Sequence, residues 1–123
     1  MVSLTLMLNQ VQDISPLSPM TELVTLYLNG KKIKDISLLV KLVNLQVLEI
    51  LGSPNGNQIT DISALASLKK LVQLKLWNSK ISKISSLAAL SNLRTLWVLN
   101  GNPLDEKSLS IVEQLENQEV EVR

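Results

Sequence analysis

The chain has 123 residues, 46% of them hydrophobic and 19% charged, which is enough apolar material for one packed domain and too much for a disordered segment. Twelve basic against eleven acidic side chains leave a net charge of +1, so no global field draws the chain to nucleic acid or anionic lipid. Histidine and cysteine are both absent, which removes the commonest general base, the thiol nucleophile and disulfide staples, and no apolar run reaches the 18 residues that would read as a membrane span.

One apolar pattern is written repeatedly along the chain. The first unit, 1–22, places Met1, Leu4, Leu6, Val11, Ile14, Leu17 and Met20 at positions 1, 4, 6, 11, 14, 17 and 20. The second, 23–44, repeats it with Leu23, Leu26, Leu28, Ile33, Ile36, Leu39 and Leu42. The third, 45–70, does so after absorbing the extra residues Ser53-Pro54-Asn55-Gly56, and the fourth, 71–92, runs from Leu71 to Leu90 in the same order. A fifth unit, 93–104, starts the pattern and then changes, leaving 105–123 as a different ending. All 28 such positions in the four complete units are apolar. Positions 4 and 6 alternate with the period of a strand, and position 11 turns the chain. Positions 14, 17 and 20 line the inside of the return. A single coil cannot bury seven apolar side chains by itself, whereas stacked coils share one core and pair their strands in parallel, about 4.8 Å apart.

The units resemble the 22-residue class of leucine-rich repeats, L-x-x-L-x-L-x-x-N-x-I. The segments Asp13-Ile14-Ser15-Pro16-Leu17, Asp35-Ile36-Ser37 and Ile59-Thr60-Asp61-Ile62-Ser63 resemble the internalin type of bacterial proteins. The resemblance implies an α/β fold: a right-handed solenoid with a parallel sheet on its concave face, short 3-10 or helical segments on the convex side, and a C-terminal helix-strand cap. It also implies an inward-turned asparagine ladder at position 9, filled here by Asn9, Asn57 and, with one inserted residue, Asn102. Lys31 and Ser79 stand at that position in the second and fourth units, which predicts local backbone adjustment there, using Asn29 or Asn78.

Asp13, Asp35 and Asp61 share a further ladder, continued by Lys83. Together with Ser15, Ser37, Ser63 and Ser85 they read as caps for the amides of the return segment rather than as a metal site. Near the C-terminus, Asp105 or Ser108 can cap a helix whose apolar side is Leu109, Ile111, Val112 and Leu115, and Glu119-Val120-Glu121-Val122 alternates like a last edge strand. No matching cap precedes Met1, where an open repeat end predicts missing upstream residues or packing against another copy.

Positions 3, 5 and 7 face away from the core. All three aromatic residues fall there, as Tyr27, Trp77 and Trp97. With Glu49, Leu51, Lys75 and Leu99 they form the candidate partner-binding set, in which Lys75 lies opposite Trp97 for a cation–π contact and faces Glu49 for an ion pair. Exposed aromatic residues beside aliphatic ones mark a hot spot for a protein partner.

No Gly-rich phosphate loop or Gly-x-Ser-x-Gly turn is present, so neither an enzyme nor a cofactor site is expected. The Lys31, Lys32 and Lys34 group and the Lys80 and Lys83 pair read as a solvated edge, not a nucleic-acid groove. The expectation is therefore a non-enzymatic protein-interaction module. The internalin resemblance implies a piece of a larger bacterial protein, at the cell surface or secreted. Similar 22-residue repeats in phosphatase-regulating proteins imply an intracellular regulatory scaffold instead. Homodimerisation through the concave face or the open N-terminal end is a third reading.

Overall fold

The structure, a computed structural model, describes residues 2–7, 12–52 and 56–123. Each unit opens with a strand: β1 (Val2–Met7), β2 (Leu23–Asn29), β3 (Val47–Leu51), β4 (Gln73–Trp77) and β5 (Thr95–Trp97). With β6 (Glu121–Val122) they form one parallel sheet in chain order. Parallel neighbours require the chain to travel back after every strand. Here the return is a 3-10 turn, at Ser15–Leu17, Ser37–Lys41, Ser63–Ser67 and Ser85–Ala89. The spacing of three between positions 14 and 17 accounts for that choice, because a helix with three residues per turn puts both side chains on one side. The Leu17, Leu39, Leu65 and Leu87 amides donate to the Ile14, Ile36, Ile62 and Ile84 carbonyls at 2.9 or 3.0 Å, the same bond in every coil.

Sheet and turns enclose a single core. Leu26, Leu48, Leu74 and Leu96 lie abreast in the register, as do Leu28, Ile50 and Leu76. All 21 apolar repeat positions of the second to fourth units are buried. Leu4, Leu6 and Met20 are only partly covered, since β1 has a neighbouring strand on one side alone. The inserted residues leave this frame intact. The Gly56 amide donates to the Gly52 carbonyl at 3.1 Å, and Ile59 returns to its buried row. A side chain on Gly52 would overlap the Asn78 carbonyl, and Gly56 has φ +85°, so both ends of the closure call for glycine.

The chain ends in a helix and a short strand. Asp105 caps α1 (Glu106–Asn117) by accepting the Ser108 amide at 2.8 Å. Two readings of this region change. The inner side of α1 is Ser108, Ile111, Val112 and Leu115, while Leu109 is 49% exposed. Ser108 takes the inner place because the coil beneath presents polar backbone. Its hydroxyl donates to the Ser82 carbonyl and accepts the Ile84 amide, both at 3.0 Å. The alternating segment pairs only at Glu121 and Val122, because Glu119, at φ 67°, turns the chain out of the helix first.

Candidate functional site

The strand register turns three rows of side chains away from the core. Thr25, Val47, Gln73 and Thr95 form one row, Tyr27, Glu49, Lys75 and Trp97 the next, and Asn29, Leu51 and Trp77 the third. Most are half-buried, alternating with fully buried leucines, as a one-sided sheet requires.

The aromatic residues concentrate this face at β4 and β5. Trp77 and Trp97 are diagonal neighbours on adjacent strands, within reach of large rings. Their centroids are 4.9 Å apart with planes 22° from parallel, a stacked pair. Lys75 Nζ sits 4.1 Å from the Trp97 ring centre and 3.9 Å from a Glu49 carboxylate oxygen. The Gln73 amide donates to the other Glu49 oxygen at 3.4 Å. Arg123 brings a second cation, its guanidinium carbon 5.4 Å from the Trp97 ring centre, and pairs with Glu121 at 2.7 Å. Two cations and two carboxylates therefore match on this face. Trp97 lies under this cluster, its indole N–H covered and, among the described residues, without a hydrogen-bond partner, as is the side-chain oxygen of Asn29.

Of the residues picked from the sequence, Glu49, Lys75, Trp77 and Trp97 come together, and Leu51 lies beside Trp77 in register. Tyr27 on β2 lies in the Glu49 row, between Thr5 and Glu49. Leu99 is different: β5 ends at Trp97, and Leu99 follows it at 42% exposure, with its amide bonded to the Arg123 carbonyl at 2.9 Å. Sequence reasoning missed Arg123, which no repeat position marks.

The position-9 corner is built in more than one way. Asn9 lies outside the described residues. Asn57 is buried and accepts the Ile59 amide at 3.0 Å. Asn102 serves the coil before its own as well: it donates to the Leu76 and Val98 carbonyls at 2.7 and 2.9 Å and accepts the Ile81 amide at 3.3 Å. It thereby covers the corner where Ser79 is too short. Asn78 adopts φ 51° there and its carbonyl accepts the Asn57 amide at 2.9 Å. In the second unit Lys31 stays exposed, and the Asn29 side-chain oxygen has no hydrogen-bond partner among the described residues.

The aspartates of the other ladder each close a turn, Asp13, Asp35 and Asp61 accepting the amides of Ser15, Ser37 and Ser63 at 2.8 to 2.9 Å. The serines thus supply the amide and the aspartates the cap. Among the described residues no three histidine, cysteine or acidic side chains converge as metal ligands would, and no helix is long and apolar enough to cross a membrane.

A family model described as leucine-rich repeats, in two copies, matches residues 21–67. Among solved structures, an internalin (inlF) of Listeria monocytogenes is 38% identical, with a TM-score of 0.82 over 96% of this chain and 33% of its own. Internalin C2 of the same organism is 40% identical, with a TM-score of 0.67 over 85% of this chain and 45% of its own. A leucine-rich-repeat protein of Leptospira interrogans, 21% identical, shares the fold, with a TM-score of 0.72 over 99% of this chain and 36% of its own. The chain thus spans 33% to 45% of the length of these three proteins. No curated protein sequence matches it significantly.

Proposed function

We propose, from the premise that the chain is an internalin-like leucine-rich-repeat protein, that it is a non-enzymatic module which holds a protein partner on the outer face of its sheet. The fold suggests an interaction module, and the two Listeria neighbours and the Leptospira one suggest a bacterial source. One observation supports this choice of face above the others: both tryptophans stand outside a core made of aliphatic side chains, stacked on each other. Trp77, Trp97 and Leu51 supply contact area, Lys75, Glu49 and Tyr27 surround it, and Leu99 flanks it past β5. Large rings give such area at small entropic cost, and anchors of this kind dominate binding energy. Because the cations and carboxylates here match one another, affinity should come from apolar contact and depend weakly on salt.

The experiment compares proteins retained by the immobilised chain and by Trp77→Ala, with affinities then measured by calorimetry. The variant is expected to melt within a few degrees of the parent and to lose about 2 kcal/mol or more of binding. A partner bound equally by both forms would place the interface elsewhere.

A further inference from the structure

Stacking brings together two lysine groups that lie far apart in the chain. The Gln58 amide donates to the Ile33 carbonyl and the Lys80 amide to the Ile59 carbonyl, both at 2.9 Å. These bonds set Lys32, Gln58 and Lys80 in one row along the loop edge of the coils. Lys34, Thr60 and Ser82 form the next row, and Asp13, Asp35, Asp61 and Lys83 the third. A cavity of about 320 Å³ opens among Lys31, Lys32 and Lys80 over the Gly56–Gln58 backbone. Two further hollows, of about 580 and 380 Å³, lie between the coils and share Thr60, Asp61 and Ser63; Lys34 lines one and Lys83 the other. None of the five lysines forms an ion pair among the described residues. Lys34 and Lys83 stand near Asp13, Asp35, Asp61 and Asp105, whereas Lys31, Lys32 and Lys80 line their cavity with no carboxylate among the lining residues, a local excess of positive charge on a chain whose total is +1.

We propose that this edge binds a sulfated polysaccharide. An ammonium group is a compact point charge suited to a sulfate oxygen. Lys32 and Lys80 stand two rungs apart, about 10 Å at the usual strand spacing. That interval suits anionic groups spaced along a polymer better than one small dense anion. The hollows between the lysines carry the Thr60, Ser63, Ser82 and Ser85 hydroxyls, which donate to and accept from sugar hydroxyls. Asp35 and Asp61 can accept hydrogen bonds from sugar hydroxyls, which a DNA backbone does not offer. Nucleic acid would also want rings for its bases to stack on, and Tyr27, Trp77 and Trp97 are all on the sheet. The site is independent of the aromatic face.

A heparin octasaccharide is the probe, titrated calorimetrically at low and physiological salt. Binding is expected to fall by at least about tenfold in Lys32→Glu/Lys80→Glu, by less in Lys32→Gln/Lys80→Gln, and steeply with added salt. Lys41→Glu/Lys69→Glu makes the same charge change at exposed sites off this edge and is expected to bind as the parent does. Circular dichroism checks that each variant is folded. The desulfated octasaccharide is expected not to bind, and single-stranded DNA of equal charge to bind at least about tenfold more weakly. The proposal is overturned if the parent does not bind the octasaccharide, if the control pair loses as much as the Lys32/Lys80 pair, or if the DNA binds equally well.

Discussion

Asp13, Asp35 and Asp61 are exposed, yet each is held to its acid form's disadvantage by the serine two residues on. The Ser15 amide and then its hydroxyl lower the pKa of Asp13, and Ser63 does the same for Asp61. For Asp35 the Ser37 hydroxyl contributes most, then the amide. A carboxylate whose folded pKa lies below its unfolded value of 3.8 adds stability above that value. The contribution is lost as pH falls through the lower folded values. Thermal unfolding is therefore expected to show a falling midpoint below about pH 4, and Asp61→Ala to make that fall shallower, since one titrating group is gone. An equally steep fall in the variant would show that these turns do not carry the acid sensitivity. The repeat spacing makes the ladder legible, but not the direction of its bonds. Asp and Ser are both capping residues, and the backbone geometry of the turn decides which gives the acceptor and which the amide.

At the scale of an element, α1 shows where composition misleads. Leucine, isoleucine and valine mark an apolar stripe that includes Leu109, but the helix turns Ser108 inward instead. The deciding factor lies on another coil. The Ser82 carbonyl and Ile84 amide need partners, and a buried polar group left without one is costly. Ser108→Ala is expected to lower stability by about 1–3 kcal/mol, measured by denaturant unfolding, whereas Leu109→Ala should stay within about 0.5 kcal/mol of the parent as a surface change. Comparable losses in both would mean that this helix docks by apolar contact alone. β5 teaches a related lesson. Arg123 extends the pairing with β6 as far as Trp97, and past it the Leu99 amide shares the Arg123 carbonyl with the Val98 amide, so Leu99 lies beyond the paired strand.

Across the whole molecule, one rule of burial applied coil after coil makes nearly the entire fold legible. Each unit restates which side chains are inside, so the sheet, the turns and the outward rows follow from a few spacings. The face near Trp97 was legible in its tryptophans, Lys75 and Glu49. It was not legible in Arg123, which arrives there through β6 and answers to no repeat. The same rule grades the energetics. Leu74 has a leucine abreast on both sides and is fully buried, while Leu4 has Leu26 on one side only and is partly covered. Leu74→Ala is expected to cost about 2–5 kcal/mol in denaturant unfolding, and Leu4→Ala clearly less. Equal losses would show that the outer strand is as tightly packed as the centre.

The hydrogen bond from Gly56 back to Gly52 also has a bearing on how such a scaffold changes. Because Gly56 bonds back to Gly52 and Ile59 returns to the buried row, the coil's alignment closes across this pair of glycines. Segments of other lengths can be spliced in at that junction while the neighbouring coils keep their alignment, which makes it a natural port for displaying a new loop beside an unchanged sheet.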